Sequence, residues 1–228
     1  MATKLQIWNR ALAHLGEGRL VSTTPATDGT EPAYVFEEIW PTVALDGLAR
    51  GDWNFAIKTV QVTKNPSPTL IPGFQFQFDY PTDWVRTVAY NFEADFTDIS
   101  FHYDHLDVYT ERGAYFSNSE LFFLRYVSSD YVDDANLGDY PPSYVEFIAC
   151  LLAEMSAERL TQGTNQQLII EKQCKRLLLK AKSNDARNVK TQRIRTGRWL
   201  RAWQGDADRR GSIGTIVGGE IDTEEGET

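Results

Sequence analysis

Residues 102 to 107, His-Tyr-Asp-His-Leu-Asp, bring two histidines and two aspartates into one short stretch, and metal binding is the chemistry such a cluster could serve. A metal centre needs several donors converging at fixed distances. Side chains alternate along a strand, so His102 and Asp104 share a face while His105 points elsewhere, and the stretch reads as a solvated turn or strand edge. His14 lies at the end of a helical pattern, where the helix dipole favours an imidazolium, and a structural role fits it better than catalysis. The acidic pairs Glu37-Glu38, Asp133-Asp134 and Glu224-Glu225 raise the question of glycoside hydrolysis. That reaction needs two carboxylates roughly 5 to 9 Å apart across a cleft, one of them with a raised pKa. These pairs fall on a helix surface, a loop and the tail, and read as solvated acids. Residues 211 to 219 are glycine-rich but lack the strand-to-helix junction of a phosphate cradle. No nucleophile elbow, P-loop, dinucleotide fingerprint or zinc-protease signature occurs in the sequence. The residues point to no catalytic centre, no cofactor and no metal.

The segment whose residue types favour recognition is Arg193-Ile-Arg-Thr-Gly-Arg-Trp-Leu-Arg-Ala-Trp203. Arg193, Arg195, Arg198 and Arg201 offer planar hydrogen bonding, and Trp199 and Trp203 offer large buried area, a combination that anchors interfaces. The same mixture serves single-stranded nucleic acid through stacking and phosphate contact, or an amphipathic helix laid on the chain's own body. Residues 1–171 hold 10 Lys/Arg against 24 Asp/Glu, residues 172–210 hold 13 against 3, and the last 18 residues hold five acids and no base. An acidic body is a poor platform for duplex DNA, whose phosphates want cations. A basic arm on that body reads as a docking element.

These residues must be positioned by a chain of 228 residues with 42% apolar and 12% aromatic content, enough for one domain or one domain with an insert. No apolar run approaches the roughly 18 to 20 residues of a membrane span, and Met-Ala-Thr-Lys-Leu-Gln leads into an amphipathic pattern without the apolar core of a secretion signal. Cys150 and Cys174 fall within helical patterns, show no Cys-x-x-Cys spacing, and read as buried reduced thiols. Leu5, Trp8, Leu12 and Leu15 recur at helical spacing up to Gly16, a C-cap glycine. A loop follows, then Thr30 as the N-cap of a long helix with Val35, Phe36, Ile39, Trp40, Val43 and Leu48 as its stripe; Pro41 should kink it. From Trp53 to about Val132 apolar residues alternate, with strands expected near 55–62, 74–78, 84–90, 99–103, 106–110 and 121–127. Helical spacing returns after Pro141-Pro142, with a stop at Gly163 and a second helix to about Arg187, an antiparallel hairpin by its short link. The expected fold is α+β. About four helices from 1–53 and 139–187 form an antiparallel-type bundle, 54–138 form an inserted antiparallel β domain, and 188–228 form an extended C-terminal arm, poorly ordered in the free subunit.

Two stretches are more specific. Gly51-Asp-Trp-Asn-Phe-Ala56 closes the long helix and opens a strand, and Tyr80-Pro-Thr-Asp-Trp-Val-Arg86 reads as a turn launching another. Around them stand Leu5-Gln-Ile-Trp-Asn-Arg-Ala-Leu-Ala-His-Leu-Gly16, the strand Phe122-Phe-Leu-Arg-Tyr-Val127 and the helix pair ending near Asp185-Ala186. In this order they resemble the head-to-tail adaptors of tailed bacteriophages, the tail tubular protein A family of short-tailed phages. The resemblance covers most of the chain. Pro41 and Gly47, which interrupt the long helix, depart from it, and the tail after 188 carries no matching motif.

The resemblance implies a structural virion protein, not an enzyme: a head-tail connector joining the portal at the capsid vertex to the tail, through a nozzle or a next connector protein. It implies a homo-oligomeric ring, a dodecamer in the family, through which viral double-stranded DNA passes during ejection without specific binding, and no membrane. The protein would be made in the bacterial host cytoplasm and reside in the virion neck. The bundle and the arm would face the portal, and the β insert would contribute to the tail side. Arg193, Arg195, Arg198, Trp199, Arg201 and Trp203 would dock on the portal. Trp53, Phe55, Tyr80, Pro81 and Trp84 would define the fold, with Trp53 and Trp84 buried where bundle and insert join. Two alternatives stay open, a virion-associated cell-wall hydrolase and a nucleic-acid-binding protein using the basic arm.

Overall fold

The computed structural model describes residues 2–92, 94, 96, 108–161 and 164–188. The strand expected at 99–103, the His102–His105 cluster and the arm with Arg193, Arg195, Arg198, Trp199, Arg201 and Trp203 lie outside the described residues.

Helix α1 (Lys4–Leu15) opens on a capping box in which Thr3 and Gln6 each donate a backbone N–H to the other's side chain at 3.3 Å. It ends at Gly16, whose φ of +79° is the left-handed cap that its sequence position implied. Inside the following loop one turn of helix, α2 (Pro25–Asp28), was not expected. Helix α3 (Glu31–Ala49) begins after Thr30, but the Thr30 hydroxyl does not cap it; it donates to the Asp28 carboxylate, which also accepts from the Val21 N–H at 2.7 Å. The expected interruption of α3 does not occur. Pro41 sits on the exposed side, so the backbone group it leaves unpaired faces water. Gly47 is where α3 meets its neighbour most closely: a Cβ there would stand 2.3 Å from Ile148 Cδ1.

That neighbour is α4 (Pro142–Thr161), apolar on nearly every side and packed against α1, α3 and the last helix, α5 (Thr164–Asn188). A helix buried all round is the hub of its core. α4 and α5 run antiparallel, which places Cys150 opposite Cys174 with their Cα atoms 5.5 Å apart, and the two are joined as a disulfide. The expectation of reduced thiols is therefore corrected. The pairing crosses a hairpin over a sequence separation of 24 residues, where local spacing gives no sign of it.

Between α3 and α4 the described residues form six strands in two three-stranded antiparallel sheets. The first has the order β1 (Ile57–Val62), β6 (Phe122–Ser128), β3 (Trp84–Asn91). The second has the order β2 (Phe76–Asp79), β5 (Ala114–Ser117), β4 (Val108–Glu111). β5 was not anticipated. Its hairpin turns on Arg112 and Gly113, with φ of +53° and +74°, the two-residue type I′ geometry usually signalled by Asn-Gly. Phe78, Tyr115, Phe122, Leu124 and Tyr126 form a buried aromatic cluster among the strands, while Val127 belongs to the helical core. Adjacent side chains of β6 thus reach two cores, as alternation requires. The protein is α+β.

Candidate functional site

The segment Gly51–Ala56 forms a joint among three helices. Chain reversal after α3 brings the Trp53 indole back over the helix end, where a Cβ on Gly51 would lie 2.9 Å from Trp53 Cε2. The Trp53 indole N–H donates to the Gly47 carbonyl at 2.9 Å, supplying one of the partners that the last turn of a helix lacks. The ring is 1% exposed and packs edge-on to Tyr144 at 4.7 Å and against Phe147 at 6.1 Å. Phe55, half-buried, meets Tyr144 at 4.9 Å and Tyr140 at 5.3 Å. Asn54 fastens the joint to the end of α5: its backbone and side-chain N–H groups donate to Asp185 Oδ2 at 3.1 and 2.8 Å, and its amide also reaches the Asp185 carbonyl at 3.0 Å. Burial pushes the Asp185 carboxyl above its usual range, and the bonds from Asn54 pull the other way.

The segment Tyr80–Arg86 is a turn closed by the Trp84 N–H donating to the Pro81 carbonyl at 3.1 Å. Tyr80 stacks on Trp84 at 4.3 Å and on Tyr115 at 4.7 Å, tying the two sheets together. Trp84 is only half-buried, and its indole N–H donates to Thr87 Oγ1 at 3.0 Å. Trp84 thus packs on the aromatic cluster of the sheets and not beside Trp53, which corrects the expectation that both rings fill one junction. Asp83 accepts from Lys58 at 2.8 Å, Ser128 at 2.7 Å and Tyr126 at 2.8 Å. Burial alone would raise its pKa, but the ammonium and the two hydroxyls outweigh that and hold it at about 2. Burial and the neighbouring Asp83 push the Tyr126 phenol up to about 12. Arg86 reaches back to the first joint, pairing with Asp52 at 3.2 Å and donating to the Ala49 carbonyl at 3.2 Å.

The structure therefore brings Trp53 and Phe55 into one aromatic group and Tyr80, Pro81 and Trp84 into another, linked by Arg86. Trp53, Phe55, Tyr80 and Trp84 pack internally, and the Pro81 carbonyl accepts the Trp84 N–H. Asp83, Asn54 and Asp185 carry the polar side of these joints, and the sequence reading did not single them out; each lies inside or beside a quoted motif, the only signal available. His14 bridges helices, with Nε2 at 3.2 Å from Glu146 Oε1 and Nδ1 at 3.3 Å from the Gln173 amide. The Glu37-Glu38 pair is on the surface of α3, beside Lys4 and Arg159. An open cleft of about 740 Å³ lies between α1 and the start of α4. Three of its polar residues are employed internally: Gln6 caps α1, Asn9 holds the Leu20 backbone and Arg10 pairs with Glu146 at 2.8 Å. Among the described residues no group of three or more His, Cys, Asp or Glu is placed to hold a metal ion, and no helix is long and apolar enough to cross a membrane.

The basic stretch begins earlier than the arm. Lys172, Lys175, Arg176, Lys180, Lys182 and Arg187 are exposed on α5, and only Lys175 forms an ion pair among the described residues, with Glu171. Leu168, Ile169 and Leu179 are exposed among them. This face of α5 is the charged, partly apolar surface that the described residues offer to a partner. Comparison with models of known protein families and with curated proteins found no match.

Proposed function

We infer that this protein is a head-to-tail adaptor of a tailed bacteriophage, a structural ring subunit between the portal and the tail. The observation that carries the reading is the convergence of the two resemblance motifs. Asp52 and Trp53 belong to the first and Arg86 to the second, and Arg86 bonds both Asp52 and the end of α3. Asp185, at the end of the matching helix pair, closes the same joint through Asn54. Segments far apart in sequence thus make one construction, as expected of residues that define a shared fold.

In this reading four helices and an inserted pair of sheets make the subunit body, and residues 188–228 extend from the bundle as the portal-docking arm. The body's acidic balance suits a channel through which duplex DNA slides, because an acidic wall repels phosphate. The lumen is then lined by Asp, Glu and neutral polar side chains, and the basic arm points away from it. Binding is the function, with the portal on one side, a nozzle or next connector on the other, and copies of the same chain around the ring. The reading is tested by silencing the gene during infection. DNA-filled heads without tails, restored to infectious particles by the purified protein, are the expected result; fully tailed, infectious particles from the silenced infection would overturn it.

A further inference from the structure

Helices α3 and α5 both pack on α4 and leave outward faces uncovered, and the two faces are complementary. On α5 the outward row is Leu168, Lys172, Arg176 and Leu179. On α3 it is Glu31, Tyr34, Glu38 and Leu45. Leu168 and Leu179 are 52% and 69% exposed, and Tyr34 and Leu45 are 53% and 41% exposed. Within each pair the apolar residues are 11 positions apart, which is three helical turns or about 16 Å. Between the anchors α5 carries Lys172 and Arg176, cations with no ion pair among the described residues, and α3 carries Glu37 and Glu38, with Glu31 one turn before Tyr34. Glu38 and Glu31 are shared with Arg159, at 3.0 and 3.9 Å, but exposed pairs of this kind contribute little and exchange partners readily.

We propose that the basic outward face of α5 docks on the acidic outward face of α3 in a second copy of this chain, Leu168 and Leu179 seating beside Tyr34 and Leu45 of that copy. Because the faces lie on different helices, the contact is heterologous: each subunit uses one face on each neighbour, and repetition closes into a ring when the rotation per subunit divides the circle. The apolar anchors favour a protein partner over nucleic acid, and the acid-rich body supplies the ion-pair partners that five cations of α5 lack among the described residues. The inference rests on the ring reading above and assigns the surfaces that build it.

Charge exchange in the full-length protein tests it. All the residues changed are exposed, so each variant should still melt cooperatively, Glu31→Lys with Glu38→Lys giving up only the exposed pairs with Arg159. By sedimentation velocity at low salt, the wild type should associate with rising concentration. Lys172→Glu with Arg176→Glu should weaken association roughly tenfold or more, as should Glu31→Lys with Glu38→Lys. Mixing the two variants restores complementary faces at every contact and should return association to the wild-type level. Carbodiimide treatment of mixed light and heavy isotope-labelled protein should link Glu31 or Glu38 of one copy to a lysine of α5 in another. Wild-type association by either variant alone, no rescue on mixing, or no association of the wild type would overturn the proposal. Rings of variant protein on the portal would remove this contact while leaving the adaptor reading intact. A wild type that self-associates but ignores the portal would do the reverse.

Discussion

Replacing Trp53 by alanine should unfold a large part of this protein's stability, whereas the same change at Trp84 should not. The Trp53 ring is 1% exposed, touches Tyr144 and Phe147, and donates its N–H to the Gly47 carbonyl at 2.9 Å. Truncating a buried tryptophan costs about 3 to 5 kcal/mol, and losing a hydrogen bond to a buried carbonyl adds about 1 kcal/mol. Trp53→Ala should therefore lose about 4 to 6 kcal/mol, a large share of the roughly 5 to 15 kcal/mol typical of a domain. Trp84 is half-buried, packing on the edge of the sheets' cluster with a tilted contact to Tyr80 and a bond to the Thr87 hydroxyl. About half the area of a tryptophan at roughly 25 cal/mol per Å² gives a loss near 2 kcal/mol. Urea unfolding followed by far-ultraviolet circular dichroism separates the two, with midpoints shifting at constant slope. Trp53→Phe, which keeps a ring but not the donor, should fall between them. Equal losses at 53 and 84 would refute the assignment of the two rings to different cores.

Asp185 is a buried carboxylate whose pKa is raised by burial, so ionising it opposes folding and its share of stability is lost as pH rises through its folded pKa. Asp185→Asn, which keeps an acceptor for Asn54, should stay within about 1 kcal/mol of wild type at neutral pH, while Asp185→Ala should lose about 1 to 3 kcal/mol by stranding the Asn54 donors; equal effects in a denaturant titration would remove the role assigned to the clasp. Asp83 has the opposite sign. Held at about 2 against an ordinary 3.8, it contributes fully above 3.8 and loses that contribution as pH falls toward 2, so Asp83→Asn should destabilise at pH 6 and match wild type near pH 2. A parallel offset at both pH values would contradict the Lys58, Ser128 and Tyr126 network as its source. Deleting residues 188–228 should leave a folded protein that no longer binds portal, since the described apolar core is complete before Asn188; unchanged portal affinity in a pull-down would reassign the docking surface.

What the sequence shows of this fold follows the range of the interactions involved. Gly16 was legible because a left-handed cap is a local event, and the α3 stripe was legible because that helix buries one spacing of residues, whereas α4 is buried on nearly every side and Ile169 of the α5 stripe is exposed. Pro41 and Gly47 looked like breaks because propensity is local, whereas the structure sets Pro41 toward water and uses Gly47 to bring α3 against Ile148. β5 was missed because Arg112-Gly113 makes a type I′ turn without its usual asparagine. The Cys150–Cys174 bond, the Asn54–Asp185 clasp and the Arg86–Asp52 pair join residues 24 to 131 positions apart or across the sheet, and no periodicity reports such pairings. The motifs around Trp53 and Trp84 marked where to look but placed both rings in one junction, when Trp53 turns back over the end of α3 into the helical core and Trp84 opens β3 against the cluster of the sheets. The basic character of α5 was present in the charge count; its exposure beside Leu168 and Leu179 needed the packing of α5 on α4.

The adaptor reading stands or falls on one image. Full-length protein mixed with the purified portal of the same phage and viewed by cryo-electron microscopy should show a second ring stacked coaxially on the portal. Its lumen should be lined by Asp, Glu and neutral polar residues, and residues 188–228 should lie against the portal. Portal rings without added density, at protein concentrations where the partner is in excess, would contradict the account; a lumen lined by Arg193, Arg195, Arg198 and Arg201 would move the arm to nucleic-acid binding.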